Sequence, residues 1–368
     1  MTQSTTVAAF EAAFAEYVGA RYAIALCNGT ATLHPALVAL GVQPGDRVAV
    51  PPLTMSATTL AVLQAGAVPV FCDVDPETYL LDSGIYPPSN VTFAIPVSLY
   101  GLVDPAWDGT GVVNDAAQTL AEWSDVGNGG FASYSFQSSK ILSLGEGGML
   151  VTDSEELATR AREFSSLGYR MRPDQPRIDP AVLKSPTYAR HHWPLAFNYR
   201  MNEFTAQRGL WAMGPAALPL EGARPATVAY ERGLDAAREL RQRCARMYRD
   251  ALAGCDWLTP QRVPEGWGHD YWTYAVAVDT SERWGPLAQA IERHGGERPY
   301  AAWRLTYQEP AFGHLWQSAL SEGPLPGGSL CPVAESLQPR LMQFQTNKLD
   351  SAERNAEALA KAIKEVGG

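Results

Sequence analysis

Short runs of apolar residues recur through the first half of the chain, each followed by a turn or a polar stretch. The runs predict strands at residues 22–26, 47–51, 68–74, 91–97, 112–113, 132–136 and 149–151. Within each run the apolar residues mostly follow one another, whereas a strand with one wet face alternates apolar and polar residues. The pattern therefore predicts an α/β fold in which a mostly parallel central sheet is covered on both faces.

Helices are predicted between these runs, at residues 30–40, 56–65 and 155–167. The third opens with Asp153 and Ser154, followed by acidic residues in its first turn, which is typical of a helix start. Strands that alternate with helices in this way support the α/β interpretation.

The composition changes between residues 212 and 227, where glycine, proline and alanine dominate, and a long amphipathic stretch follows at 228–252. Beyond it, the pattern predicts a strand at 271–279, a helix at 286–294, a strand at 341–345 and a closing helix at 350–365. We therefore predict a large α/β domain at residues 1–225 and a small C-terminal α+β domain at 226–368.

Composition and charge narrow the class of protein. The 368 residues are 46% hydrophobic, which is enough for a large core, and the net charge of -10 is spread along the chain. Without a basic run, no nucleic acid is expected as a partner. The five cysteines are scattered without the spacing of metal ligands, and no apolar run reaches the roughly 20 residues of a membrane span. A cytoplasmic protein with no metal and no membrane partner is expected.

Lys140 is the strongest candidate for chemistry. It lies in residues 133–148, SYSFQSSKILSLGEGG, with hydroxyl side chains before it and glycines after it. A lysine that forms an imine must lose its proton during the reaction, and burial promotes that loss. The hydroxyls are suited to a phosphate, and the glycines allow close backbone approach. The alternative is an exposed lysine in a loop, which is where most lysines lie.

Two upstream features fit the same chemistry. Asp115 follows a short apolar run, and ligands of open α/β sheets bind at the carboxyl ends of the strands. A carboxylate there can pair with a protonated pyridine nitrogen, although it can also simply cap a turn. Asn28, Gly29 and Thr30 form a helix start whose N–H groups suit a phosphate, although a plain turn has the same pattern. Together with Lys140, they predict pyridoxal 5'-phosphate.

Seven segments taken in order resemble the DegT/DnrJ/EryC1/StrS family of PLP-dependent aminotransferases. They are residues 28–33, 41–46, 71–78, 115–118, 135–140, 145–148 and 198–203. The resemblance is strong over about residues 10–215 and loose beyond. It implies the PLP-dependent transferase fold of type I, with the small C-terminal domain already predicted.

The resemblance also implies roles for single residues. The match assigns Lys140 as the Schiff-base lysine, Asp115 as the partner of the pyridine nitrogen, Gln118 as the neighbour of the ring hydroxyl, and Gly29, Thr30 and Ser135 as phosphate contacts. Asn198 resembles the asparagine that reaches the phosphate of the neighbouring subunit's cofactor. A homodimer with shared active sites is therefore expected.

The chain departs from the family's pattern at several places. Met55 stands where members place an aromatic residue against the pyridine ring, and its thioether can cover a ring face. Residues 82–96 and 101–115 are shorter than usual, so their crossover helices are expected to be reduced to loops. His192 belongs to an aromatic stretch that fits an acceptor pocket or, alternatively, a dimer-interface loop.

The tract 299–312 resembles the scyllo-inosose aminotransferase and amino-hydroxybenzoate synthase branch rather than the nucleotide-sugar enzymes. Arg304 in this tract is a candidate to bind a substrate carboxylate, with a plain surface arginine as the equal alternative.

The predicted function is a ping-pong aminotransferase. Lys140 acts as acid and base while an amino group moves from glutamine or glutamate to a keto-sugar or keto-cyclitol, in amino-sugar, aminocyclitol or antibiotic biosynthesis. Two alternatives stay open. One is a PLP-dependent lyase or dehydratase of the same family that keeps the lysine. The other is a catalytically idle PLP-binding regulatory subunit. Met55 points to it, and so does the N-terminal segment that supplies a substrate loop in the family and is expected to be nearly absent here.

Overall fold

The computed structural model describes residues 4–84, 91–107, 109, 111–125, 130–168, 195–214, 233–312 and 329–367. The large N-terminal part contains the helices α1 (Thr5–Val18), α2 (Thr30–Leu40), α3 (Ala57–Gln64), α4 (Glu155–Ser165) and α5 (Glu203–Met213). Its strands are β1 (Tyr22–Leu26), β2 (Arg47–Val50), β3 (Val68–Phe71), β4 (Phe93–Ala94), β5 (Val113–Asp115), β6 (Phe131–Ser135) and β7 (Gly148–Thr152). Strands and helices thus fall where the apolar runs predicted them, within a few residues.

The strands form two sheets with the orders β1-β7-β6-β5 and β3-β2-β4. Parallel bridges from Ala94 to Val112 and from Val97 to Asp115 connect β4 with β5 and continue one sheet into the other. Strand β7 runs antiparallel to both of its neighbours, while the pairs β5/β6, β2/β3 and β2/β4 are parallel. The prediction of a mostly parallel sheet is confirmed.

This topology places three chain segments at one edge. Strands β1, β5 and β6 are parallel to one another through the sheet, so the residues that follow them lie at the same end. Asp115 and Ser135 close β5 and β6, and α2 begins shortly after β1. The carboxyl edge of a parallel sheet is where α/β proteins bind their ligands.

The crossover between β4 and β5 is short. Its described residues contain a single turn of 3-10 helix, Leu99–Gly101, in place of a crossover helix. The expected reduction of this connection to a loop is confirmed for these residues. The connection folds back over the sheet edge and brings Tyr100 beside Gln118.

Helix α1 was not among the predicted elements. Ser4 caps it, since its side chain accepts from the N–H of Thr6, and the helix buries Phe10, Phe14 and Val18 at spacings of four. Phe10 lies directly on α5, where it leaves no room for a Cβ on Gly209. The first helix therefore supports the later segment that carries Asn198.

The C-terminal part contains the helices α6 (Gly233–Ala251), α7 (Trp284–Arg293), α8 (Pro332–Leu337) and α9 (Leu349–Gly367). Its strands β8 (Leu258–Pro260), β9 (Thr273–Val278), β10 (Tyr300–Ala301) and β11 (Leu341–Gln345) form an antiparallel sheet of order β10-β11-β9-β8. Apolar residues of α6, α7, α9 and this sheet share one core.

The predicted boundary at 225/226 lies outside the described residues and stays a prediction. Within the described part, no helix combines the length and the apolar character needed to cross a membrane.

Candidate active site

The start of α2 forms an anion-binding cradle. The side chain of Asn28 accepts from the N–H of Ala31 at 2.8 Å, and the N–H of Thr32 donates to the carbonyl of Gly29 at 3.1 Å. No described residue accepts from the backbone N–H of Gly29 or Thr30. Two donors therefore point out of the helix end, where the helix dipole also favours negative charge.

Strand β6 brings a hydroxyl against this helix start. A Cβ placed on Gly29 would lie 2.7 Å from the Cβ and 3.0 Å from the Oγ of Ser135. On the other side, a Cβ on Gly148 would lie 2.6 Å from the carbonyl oxygen of Asn28. Only glycine fits at either position. The structure thus brings together Gly29, Thr30 and Ser135, the predicted phosphate contacts, and the close backbone approach expected of the glycines is confirmed at Gly148.

Asp115 is buried at the end of β5, and its carboxylate is held from two sides. Thr58 of α3 donates to Oδ2 at 2.8 Å, and the N–H of Ala117 donates to Oδ1 at 3.2 Å. Burial raises the pKa of this carboxyl, while the two hydrogen bonds and the charge of Lys140 lower it. The fixed carboxylate is suited to pairing with a buried cation.

Lys140 lies in the turn that follows β6 and is half-buried. Burial lowers the pKa of its amino group to about 8, and the nearby charge of Asp115 raises it by a smaller amount. An exposed loop lysine would show no such environment, so that alternative is wrong. The amino group can lose its proton near neutral pH, as nucleophiles and general bases must.

Gln118 is buried, and the carbonyl end of its amide is occupied. Its Oε1 accepts from the N–H of Tyr100 at 2.6 Å, which leaves the two N–H donors of the other end for a ligand. Tyr100 has a φ of 63°, a left-handed conformation that a tyrosine rarely adopts. The fold holds this strained turn against Gln118.

Two of the predicted cofactor residues, Met55 and Asn198, and the predicted substrate residue Arg304 are more exposed. Met55 precedes α3 with 48% of its surface exposed, and its sulfur accepts from the N–H of Ala57 at 3.1 Å. Asn198 and Arg304 are also exposed, Asn198 on a bridge to Ser166. His192 lies outside the described residues. The structure therefore brings part of the predicted cofactor set together and leaves Met55, Asn198 and Arg304 at the surface.

Arg304 is tied to the site through its neighbour in the chain. The ring of Trp303 stacks on that of Trp272, with centroids 6.0 Å apart. The ring of Trp272 in turn lies 4.6 Å from the Nζ of Lys140. The tract 299–312 thus reaches the vicinity of the lysine, as the sequence comparison implied for a substrate segment.

Three residues of the site were missed from the sequence. Thr58 lies on a predicted helix, Tyr100 in a predicted loop and Trp272 at the start of a predicted strand. Their contacts with Asp115, Gln118 and Lys140 join positions far apart in the chain, and no local spacing reports such contacts. The one available signal was the pair of aromatic residues 271 and 272 at a strand start, which is equally typical of core packing.

Among curated proteins, GDP-perosamine synthase of Caulobacter vibrioides is 38% identical over 220 residues, covering 55% of this chain and 54% of that protein. A UDP-N-acetyl-3-dehydro-alpha-D-glucosamine 3-aminotransferase of Acidithiobacillus ferrooxidans is 30% identical over 356 residues, covering 91% and 82%. The matches span about half or less of the length of several curated relatives.

Solved structures show the same fold. NtdA of Bacillus subtilis, with bound cofactor PMP, has a TM-score of 0.76 at 22% identity, over 99% of this chain and 78% of that one. 3-Amino-5-hydroxybenzoic acid synthase has a TM-score of 0.74 at 24% identity, over 98% and 91%. The predicted fold class is confirmed. Residues 1–343 match the model of the family that the motifs indicated, and the chain belongs to the DegT/DnrJ/EryC1/StrS aminotransferase family.

Proposed function

We propose that the protein is a pyridoxal phosphate-dependent aminotransferase that moves an amino group from glutamine or glutamate to a keto-sugar. The observation that carries the proposal is the placement of the half-buried Lys140 and the buried carboxylate of Asp115 after two neighbouring parallel strands, near enough for the charge of each to favour the charged form of the other. A lysine and a carboxylate so placed, beside an anion cradle, match the groups that the cofactor requires.

The residues present fit the cofactor group by group. Gly29 and Ser135 approach so closely that a Cβ on Gly29 would clash, and this contact sets the backbone N–H groups of the helix start and the hydroxyl of Ser135 side by side as donors for a phosphate. Asp115 would pair with the pyridine nitrogen, and the free N–H donors of Gln118 would bind the ring hydroxyl. Met55 would cover a ring face.

The cofactor, when bound, withdraws the electrons left behind as a proton leaves the carbon that bears the amine. Residues of the chain position the ring and move the proton. Thr58 and the N–H of Ala117 hold the carboxylate of Asp115 in place, where it would stabilise a positive charge on the ring nitrogen. Lys140 takes the proton from one carbon and returns it to the next through Nζ, which a group with a pKa of about 8 does in both directions near neutral pH.

A keto-sugar acceptor is supported by the relatives, since one is named for perosamine synthesis and another for a 3-amino transfer on a dehydro-glucosamine nucleotide. A keto-cyclitol acceptor is the finer alternative that the tract 299–312 favours. With either acceptor, Arg304 would bind the carboxylate of the amino donor.

A homodimer completes the proposed site. Asn198 lies on an exposed segment whose apolar neighbours are uncovered in the single chain, with Leu195 97% and Phe197 48% exposed. Such side chains fit a subunit interface, from which Asn198 would reach the partner's cofactor. The five free thiols support a reducing compartment such as the cytoplasm.

The test is the colour and the turnover of the purified protein. With pyridoxal phosphate bound to Lys140 the protein is expected to absorb in the visible range, and L-glutamine or L-glutamate should bleach that band and release a keto acid in equal amount. Lys140→Ala should be colourless, while Lys361→Ala, which removes an exposed lysine of α9, should behave as wild type.

Two other outcomes would each favour one of the alternative functions. A coloured protein that no amino donor bleaches would refute the aminotransferase and favour the idle binding subunit. Release of water or ammonia from a sugar without net amino transfer would favour the lyase.

A further inference from the structure

Trp272 brings an aromatic face of the C-terminal part to the reactive amine of the N-terminal part. The Nζ of Lys140 lies 4.6 Å from the centroid of its half-buried ring. A cation over an indole face is attracted by the ring's electrons, and the attraction grows as water is excluded. Burial of Lys140 is the main influence on its amino group, so this contact is made in a partly dry setting.

The indole ring is fixed on both of its sides. Its Nε1–H donates to the carbonyl of Ser139 at 2.8 Å, so the ring is anchored to the residue that precedes the lysine. Its other neighbour is Trp303, stacked with an interplanar angle of 23°. A ring held by one hydrogen bond and one stacking contact presents a constant face to the amine.

The backbone of Trp272 is equally constrained. Its carbonyl accepts from Nη1 of the buried Arg241 at 2.9 Å and from Oγ1 of Thr346 at 3.1 Å. The backbone nitrogen of Trp272 lies against Gly101, because a Cβ added to Gly101 would come within 2.9 Å of it. These contacts tie the start of β9 both to α6 and to the strained turn beside Gln118.

We infer that Trp272 is a positioning residue, which holds the amino group of Lys140 over its indole face whenever the lysine is not bonded to the cofactor. The inference deepens the proposed function and rests on it, because a Schiff-base cycle frees the lysine and then needs it back in the same place. The C-terminal part thus sets both the position of the lysine and the stability of its charged form.

The charged group that faces Lys140 from the neighbouring elements, within the described residues, is Asp115 at the end of β5. The charge of Asp115 also favours the ammonium form of Lys140. Deleting the indole would therefore change more than one influence on the amine. It would remove the ring's attraction and admit water. A decisive change must lower the electron density of the ring face and leave the shape of the ring, its N–H group and Asp115 unchanged.

Ring fluorination meets that requirement. Trp272 is replaced site-specifically by tryptophans that carry one to four ring fluorines, each of which withdraws electron density from the ring face. In the cofactor-free protein, labelling of Lys140 by trinitrobenzenesulfonate is followed against pH through the mass of its peptide. The labelling midpoint should fall stepwise with fluorine number, by about half a unit to one unit in total.

The matched control is Trp257, whose ring lies under the guanidinium of Arg283 at 4.9 Å. The same fluorinated series there should leave the Lys140 midpoint unchanged. The inference is overturned if the labelling midpoint of Lys140 does not change with fluorination of Trp272, or if it changes equally with fluorination of Trp272 and of Trp257.

The readout requires neither cofactor nor amino donor. If the wild-type protein fails to bleach with every donor, the proposed aminotransferase fails while the fluorination series still decides whether Trp272 holds the lysine. If the protein transaminates and the series is flat, only the role of Trp272 is refuted.

Discussion

The two halves of the candidate site differ in how tightly they are built. Around Gly29, Ser135 and Asp115, backbones and side chains approach so closely that single atoms decide the fit. Around Asn198 and Arg304, the side chains are exposed and carry few contacts within the chain. Most of the proposed cofactor residues lie together within one folded chain, whereas Asn198 and Arg304 need further surface from a ligand or a second subunit. Changes in the two halves should therefore differ in size.

The largest loss of activity is expected from a change at the carboxylate of Asp115. Asp115→Asn keeps the shape of the side chain and an acceptor for Thr58, but it removes the negative charge that would hold a proton on the pyridine nitrogen. The rate of donor conversion at saturating pyridoxal phosphate should fall about 100-fold or more. Single-turnover kinetics measure it, with the exposed Asp279→Asn as the control. A loss of less than about fivefold would show that Asp115 only caps its turn.

The pH dependence of cofactor capture tests the lysine. Because burial lowers the pKa of Lys140 to about 8, its amine is mostly protonated at pH 6 and half free at pH 8. The rate at which cofactor-free protein gains visible absorbance should rise about 50-fold between these values and level off above pH 9. Stopped-flow mixing measures it, after subtraction of the pH profile of a simple amine. A rate still climbing tenfold per unit at pH 9.5 would mean an ordinary exposed lysine.

An added methyl group tests the cradle. Gly29→Ala places a Cβ 2.7 Å from that of Ser135, so either the helix start or β6 must move, and cofactor affinity should fall roughly tenfold. Equilibrium titration of the visible band measures it. The double variant with Ser135→Gly restores the space and should recover part of the loss. Gly285→Ala, at a position with open space around it, is the control and should be neutral.

The smallest effect is expected in the open half. Arg304→Gln removes a charge from an exposed side chain, so the KM for the amino donor should rise about threefold with kcat unchanged. Steady-state kinetics measure both constants. Arg298→Gln, which breaks an exposed ion pair with Glu292, should change neither. If Arg304→Gln lowered activity as much as Asp115→Asn, the proposed difference between a tightly built half and an open half of the site would be wrong.

Much of the fold and of the cofactor half could be predicted from the sequence, since the signals were local. The apolar run at 22–26 and the helix at 30–40 coincide with β1 and α2, and the strand at 341–345 with β11. Lys140 and Asp115 follow strands of one parallel sheet, so their approach follows from topology. Helix α1 could also have been found, because Phe10, Phe14 and Val18 recur at helical spacing behind Ser4.

The remainder depends on contacts between distant parts of the chain. Trp272 reaches Lys140 only because the C-terminal part lies over the turn at Gly101, and no periodicity in either segment encodes that arrangement. Tyr100 holds Gln118 through a backbone N–H group, which every residue type except proline provides. Such residues carry no chemical signature of their own in a sequence.

The packing of Phe10 on α5 has a consequence for the order of events during synthesis. Helix α1 is the first described element to leave the ribosome, yet its apolar face meets β6 and Gly209, which follow much later. Contacts of such high sequence separation close late and slow folding. Until β6 and then α5 have emerged, the aromatic stripe of α1 lacks most of its native partners, and the growing chain is most open to chaperone capture or misassembly over that interval.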